Sequence, residues 1–165
     1  MTLHLHWFLP TAGDSRDVVG FGPTGSRRQP TIDYLATVAR TAEQLGFEAV
    51  LTPTGTWCED AWITTAALTR ETERLQFLVA FRPGFISPTL AAQMASTYQR
   101  ISNGRLLLNV VTGGNPGEQR RFGDWLDHDA RYERTGEFLA ILRGAWSGEP
   151  FDFKGKFWNV SKPDT

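Results

Sequence analysis

The sequence predicts an α/β fold built on a parallel sheet, and three observations lead there. Short β-rich runs alternate with amphipathic helical stretches in a repeating order. The helical stretches are punctuated by capping residues at their starts and by glycine at their ends. Four strand–helix units fit in about 150 residues, or roughly 35 to 40 per unit, a spacing that suits half of an eight-unit barrel. A complete small doubly wound domain has the same strand count and is the rival architecture.

Taken in order, the first strand is Leu3 to Leu9, ending at Pro10. A Gly-rich stretch from Asp14 to Pro30 follows and contains Gly20-Phe-Gly-Pro-Thr-Gly25, a literal match to the dinucleotide fingerprint. Pro23 stands where that motif needs a helix to begin, so the match is set aside. A helix opens at Thr31 with Ile32, Leu35, Ala36, Ala39, Ala42 and Leu45 on one face, and Gly46 stops it. Phe47 to Leu51 is the second strand, closed by Thr52-Pro-Thr-Gly, and a helix runs from about Asp60 to Thr69. Leu75 to Phe81 is the third strand. Ser87 and Pro88 cap a third helix with the apolar face Leu90, Ala91, Met94, Ala95, Tyr98 and Ile101, ended by Asn103-Gly104. Arg105 to Val111 is the fourth strand, broken at Thr112-Gly-Gly-Asn-Pro. A fourth helix is expected after Asp129 with Tyr132, Leu139, Leu142 and Trp146 inward, and Phe151 to Val160 reads as a hairpin turning at Lys154-Gly155.

Composition narrows the function classes. The chain has 165 residues, 41% hydrophobic and 21% charged, which suits one compact soluble domain. Seventeen Lys and Arg against eighteen Asp and Glu leave a net charge of −1, so no global field draws it to nucleic acid or anionic lipid. The longest apolar runs are about a third of the roughly 20 residues a membrane span needs. The N-terminus lacks a basic region and a cleavage site, which points to the cytoplasm. The single cysteine, Cys58, excludes an internal disulfide and multi-thiolate metal sites. His4 and His6 share a strand face without a third ligand and read as packing residues; Arg120, Arg121, Arg131 and Arg134 read as solvated faces.

In parallel α/β folds the chemistry gathers at the carboxyl ends of the strands. Here those ends are Pro10 to Asp14, Thr52 to Asp60, Arg82-Pro-Gly84 and Thr112 to Asn115, a mixture of hydroxyls, glycines, one cation, one thiol and an indole suited to a flat polar ligand. Ordinary turn chemistry uses many of the same residues. Asn109 is more specific, because a carboxamide inside Leu106-Leu-Leu-Asn-Val-Val needs partners that a ligand edge or a neighbouring strand can supply. His128 and Tyr132, four apart at an expected helix start, fit a phosphate-bearing ligand.

Six segments in order, Trp7-Phe-Leu-Pro-Thr, Pro53-Thr-Gly with Cys58-Glu-Asp-Ala-Trp62, Phe77-Leu-Val-Ala-Phe-Arg-Pro83, Ser102-Asn-Gly-Arg105, Asn109-Val-Val-Thr-Gly113 and Asp127-His-Asp-Ala-Arg-Tyr-Glu133, resemble the bacterial luciferase-like flavin monooxygenases. Within these the resemblance is nearest to the alkanesulfonate monooxygenases and runs from about Leu5 to Val160. It implies a TIM (β/α)8 barrel, of which residues 1–165 are the N-terminal half, about the first four β-α units of one domain. It also implies reduced FMN delivered by a separate NAD(P)H-dependent flavin reductase, O2 as co-substrate, and oxidative cleavage of an organosulfur substrate, an alkanesulfonate, to aldehyde and sulfite.

By the same resemblance, Asn109 contacts the flavin ring, Thr54 and Ala80 line its faces, His128 and Tyr132 hold its phosphate, and Cys58 matches the active-site cysteine; Arg82 is a further catalytic candidate. No metal, membrane or nucleic acid is implied. Ala12 departs from the His usual in the Pro-Thr-x-Gly-Asp loop of the sulfonate enzymes, so the substrate can differ from a simple alkanesulfonate. A half barrel exposes two sheet edges and an apolar interior, which favours homo-oligomers, and such a piece alone is expected to be inactive. The alternatives are a catalytically silent flavin-binding or assembly subunit and a luciferase-like deazaflavin oxidoreductase.

Overall fold

A computed structural model of the protein describes residues 3–13 and 28–163. The Gly20 to Gly25 motif lies outside the described residues. The chain divides into two compact units, Met1–Phe81 with Tyr98–Asn109, and Arg82–Thr97 with Val110–Thr165.

The first unit is organised by a four-stranded sheet in the order β1 (His6–Phe8), β2 (Ala49–Thr52), β3 (Gln76–Phe81), β4 (Leu106–Val110). β1 and β2 are parallel, as are β2 and β3, with Phe8 beside Leu51 and Leu51 beside Leu78. The bond from Phe77 N to Arg105 O, 2.8 Å, fixes the β4 register; continued along the strands, it sets Ala80 beside Asn109.

Alternation gives the sheet two unlike faces. Val50, Phe77 and Val79 are fully buried, whereas Phe8, Leu51 and Leu78 on the other face are half-buried. α1 (Ile32–Gln44) begins at Thr31, whose side chain accepts from Tyr34 N, and buries Leu35, Ala36, Ala39 and Ala42. Ile32 and Leu45, expected on the buried face, lie at its ends and are exposed. Gly46 at φ +83° reverses the chain after the helix. α2 (Ala61–Leu68) is capped by Asp60, which accepts from Ile63 N at 2.8 Å. Trp62 on this helix meets Phe81 and Tyr98 edge-on at 5.7 and 6.5 Å.

Two side chains lock the connections of this unit. The Glu43 carboxylate accepts from the backbone N–H of Glu73, Arg74 and Leu75 at 3.0, 2.6 and 2.8 Å. Burial pushes its carboxyl up, but those three N–H groups and the Arg74 charge outweigh it and hold it below the ordinary value. The Arg105 guanidinium donates to Ser102 O, Thr69 O and Thr72 Oγ1 and lies over the Phe77 ring.

α3 (Pro88–Ser102) starts at Ser87, whose Oγ accepts from Leu90 N at 3.2 Å. Its Leu90 and Ile101, expected inward, are exposed, and the residue missing from that expectation is Ala92, fully buried. The second unit holds the N-terminal part of this helix together with α4 (Pro116–Arg121), α5 (His128–Trp146) and an antiparallel hairpin of β5 (Asp152–Lys154) and β6 (Asn159–Ser161). α4 was not expected: Asn115-Pro116 reads as a strand break, but Asn115 caps a six-residue helix with proline in its first turn.

α5 starts at His128, capped by Asp127, earlier than the sequence suggests. Its buried stripe is Arg131, Thr135, Phe138, Ile141, Leu142 and Ala145. Tyr132 and Trp146, expected inward, are 55% and 44% exposed, because the stripe runs one position away from each. The hairpin is tied to α5 through Glu137, which accepts from Lys156 N, Phe157 N and Trp158 N at 2.7, 2.9 and 3.1 Å.

Candidate functional site

In the first unit the strand ends carry four of the expected residues. Glu59 N donates to Thr11 O at 3.0 Å, tying the loop after β2 to the turn after β1. Thr54 and Cys58 are half-buried in the former loop, and the Cys58 thiol points at Pro53 O and Gly55 O, 3.7 and 3.6 Å away. The hydroxyls of Thr11 and Thr52 are buried and make no hydrogen bond among the described residues. Ala80 is buried on β3. Asn109 is half-buried, with no carboxamide hydrogen bond among the described residues.

Polar groups with unmet hydrogen-bonding capacity thus stand at the carboxyl ends of β1, β2 and β4. A buried hydroxyl or amide in that condition is costly unless a ligand or further chain meets it.

The second unit holds the other three. Arg82, in the loop after β3, is 7% exposed and pairs with Glu118 at 2.6 Å, its guanidinium 5.8 and 5.5 Å from the Phe85 and Phe122 ring centres. That ion pair neutralises Arg82 within this unit, so its contribution to chemistry depends on what Glu118 does. His128 is exposed on the first turn of α5, with Nδ1 2.8 Å from Asp129 Oδ1 and its ring 4.8 Å from that of Tyr132. The structure therefore brings His128 and Tyr132 together, and places Ala80 beside Asn109. Thr54 and Cys58 share one loop.

Residues absent from the sequence expectation surround the α5 start. Arg131, expected on a solvated face, is 4% exposed; its Nη1 donates to Leu126 O at 2.7 Å and its Nη2 to Gly113 O at 3.1 Å. Arg134, also expected in solvent, is clamped by both oxygens of Asp124 at 3.2 and 2.6 Å. Its guanidinium occupies the space that a Cβ on Gly84 would take, at φ +107°. Gln119 is 1% exposed and likewise fills the space beside Gly113. A period of three and four from Arg131 through Thr135, Phe138 and Leu142 was the available signal that Arg131 faces inward.

The luciferase-like monooxygenase family matches residues 3–165. The chain belongs to that family. Among solved structures, a long-chain alkane monooxygenase matches at 21% identity and TM-score 0.82, covering 99% of this chain and 49% of that one. The EDTA monooxygenase of Chelativorans sp. BNC1 matches at 21% identity and TM-score 0.82, covering 97% and 45%. A riboflavin lyase solved with modified FMN and riboflavin matches at 18% identity and TM-score 0.84, covering 100% and 47%. This luciferase-like chain therefore spans about half the length of the solved structures it matches, and its four-stranded parallel sheet corresponds to part of their TIM barrels. Among the described residues, no helix is long and apolar enough to cross a membrane, and no group of three or more His, Cys, Asp or Glu is placed to hold a metal.

Proposed function

We propose that this chain is the N-terminal half of a single-domain, FMN-dependent monooxygenase that uses reduced FMN from a separate NAD(P)H-dependent flavin reductase, with O2, to desulfonate an organosulfonate. The observation that carries the reading is the row of uncommitted polar groups at the sheet's carboxyl edge, Thr11, Thr52 and Asn109, in a chain of luciferase-like sequence. They fit a planar ligand rich in donors and acceptors. The motif set from Trp7 to Glu133, which resembles that of the alkanesulfonate enzymes, supports the sulfonate choice.

Bound reduced FMN supplies the electron pair that activates O2. The chain's own residues bind and orient it. Asn109 offers its carboxamide to the polar edge of the ring, while Ala80 and the backbone around Thr54 provide small, flat flanks. His128 and Tyr132 sit at the start of a 19-residue helix, whose partial positive charge favours a phosphate. Cys58, just ahead of α2, supplies a thiol in the loop after β2.

The protein carrying this chain, assayed with a flavin reductase, NADPH and methane-, hexane- and decanesulfonate, should release sulfite in proportion to NADPH consumed. NADPH consumption with no sulfite from any sulfonate would move the substrate to another chemical class. Failure to bind FMN in any redox state would remove the flavin itself, and transfer of the same activity to a deazaflavin would favour that cofactor.

A further inference from the structure

The second unit holds two buried ion pairs of unlike design. Asp124 grips Arg134 with both oxygens and is the deeper partner, its side chain 3% exposed against 12%. Glu118 is the outer partner of Arg82, 14% exposed against 6%, and reaches it from α4 at 2.6 Å. Lifting α4 therefore withdraws the carboxylate and leaves the guanidinium where it is, in the loop after β3.

Gln119 is the buried residue of α4, and neither atom of its carboxamide is hydrogen-bonded. That disfavours the docked helix, because water would satisfy both atoms once α4 lifts. Phe122, at the end of α4, rests on Phe85 with ring centres 4.7 Å apart and stays 43% exposed. Gly114 and Gly123 flank the helix with open space where a Cβ would sit, which gives it two points to pivot on. Against lifting stands the guanidinium, since a buried charge that loses its partner is strongly destabilising. α4 opens at low cost only when another anion takes the place of the carboxylate.

We infer that Arg82 is the receptor for the anionic head of the organic substrate, and that Glu118 stands in for that head and holds α4 closed until a monoanion replaces it. The charge type follows from what is replaced. Glu118 brings one negative charge, so a sulfonate or a carboxylate matches it one for one, whereas a phosphate at about −2 overcharges the site. The Phe85 ring, 5.8 Å from the guanidinium, is an apolar wall for the carbon chain behind the head. The sulfonate choice rests on the function proposed above; the exchange of Glu118 for an organic monoanion does not.

Hydrogen exchange over residues 115–123 and calorimetric titration are carried out on the full chain, with and without FMN. Hexanesulfonate, hexanoate and neutral hexanol are the probes, and circular dichroism melts are the fold control. Hexanesulfonate should raise exchange in α4 about tenfold while residues 128–146 stay unchanged, and hexanol should have no effect. Glu118→Gln, which lacks the competing charge, should exchange fast in α4 before any ligand is added and bind hexanesulfonate about tenfold more tightly. Arg82→Met should lose the response to both anions; if it fails to fold, Glu118→Gln alone decides.

A wild-type α4 whose exchange ignores both anions in either condition, or a folded Glu118→Gln that binds neither more tightly than wild type, overturns the exchange and leaves the pair a structural pin. If both anions open α4 and no sulfonate yields sulfite, the exchange stands and the sulfonate choice falls. If sulfite is released while α4 stays closed, the proposed function stands and this inference is refuted.

Discussion

Replacing Glu137 with Gln tests how the hairpin is held to α5. The carboxylate serves three peptide N–H groups at once, Oε1 taking Lys156 N and Oε2 taking Phe157 N and Trp158 N. An amide has one acceptor oxygen, so in either orientation its NH2 faces at least one N–H, and the bonds that remain lose their charge assistance. A bond to a charged group contributes about 1.5–3 kcal/mol and a neutral one about 0.5–1.5. Glu137 is only half-buried and water reaches the Lys156 end, so the net loss should be about 1–2 kcal/mol.

Burial pushes the Glu137 carboxyl up, but the N–H groups of Phe157, Lys156 and Trp158 and the Lys156 charge outweigh it, leaving it below the ordinary 4.5. A carboxyl depressed by folding stabilises fully above its unfolded value and loses that contribution as pH falls through its folded value. The gap between wild type and Glu137→Gln should therefore be constant near neutrality and close below about pH 4.5.

Gly155→Ala reaches the same carboxylate from the other side, since its Cβ would lie 2.3 Å from Glu137 Oε2. The two substitutions should be less than additive. Denaturant melts at several pH values and amide exchange over residues 152–161 read these effects. Additive losses, or hairpin amides as protected in Glu137→Gln as in wild type, would refute the clamp.

Glu43→Gln should cost about 1 kcal/mol at neutral pH, less than Glu43→Ala, with the difference from wild type likewise vanishing in acid; a melt insensitive to pH would contradict the three-way bond to Glu73, Arg74 and Leu75. Cys58→Ala should shift the melting temperature by no more than a few degrees, because the thiol is half-buried and its contacts to Pro53 O and Gly55 O are long, while lowering the ratio of product formed to flavin oxidised in the complete enzyme; a large stability loss with unchanged ratio would make it a structural thiol. Asn109→Leu should weaken reduced FMN and riboflavin alike by about tenfold in anaerobic fluorescence titration; unchanged affinity for both would remove it from the ring edge.

Where a cap residue and an apolar stripe coincide, the helices were legible. Thr31, Asp60 and Ser87 each mark a helix start that the structure reproduces, and the four-strand parallel sheet followed from their spacing. α4 escaped because six residues carry too little periodicity, and α5 was entered late because Asp127 and Asp129 are equally good caps in sequence. Asn109 stood out as an amide in an apolar run. Arg131 did not, since its guanidinium is accommodated by carbonyls of Leu126 and Gly113 that only the folded chain assembles.

The contact between Gly113 and Gln119 constrains the order in which this protein can change. The amide nitrogen of Gln119 lies 1.4 Å from where a Cβ on residue 113 would sit, and the backbone there is at φ +85°. Any side chain introduced at 113 therefore collides first and is strained second. A shorter residue at 119 removes the collision but not the strain, which Asn tolerates better than Ala. The accessible path is Gln119→Ser followed by Gly113→Asn; the reverse order passes through a chain that must break the turn after β4. Each step thus has a sign that depends on the other, and random libraries varying one position at a time will find Gly113 immovable when it is only waiting on its neighbour.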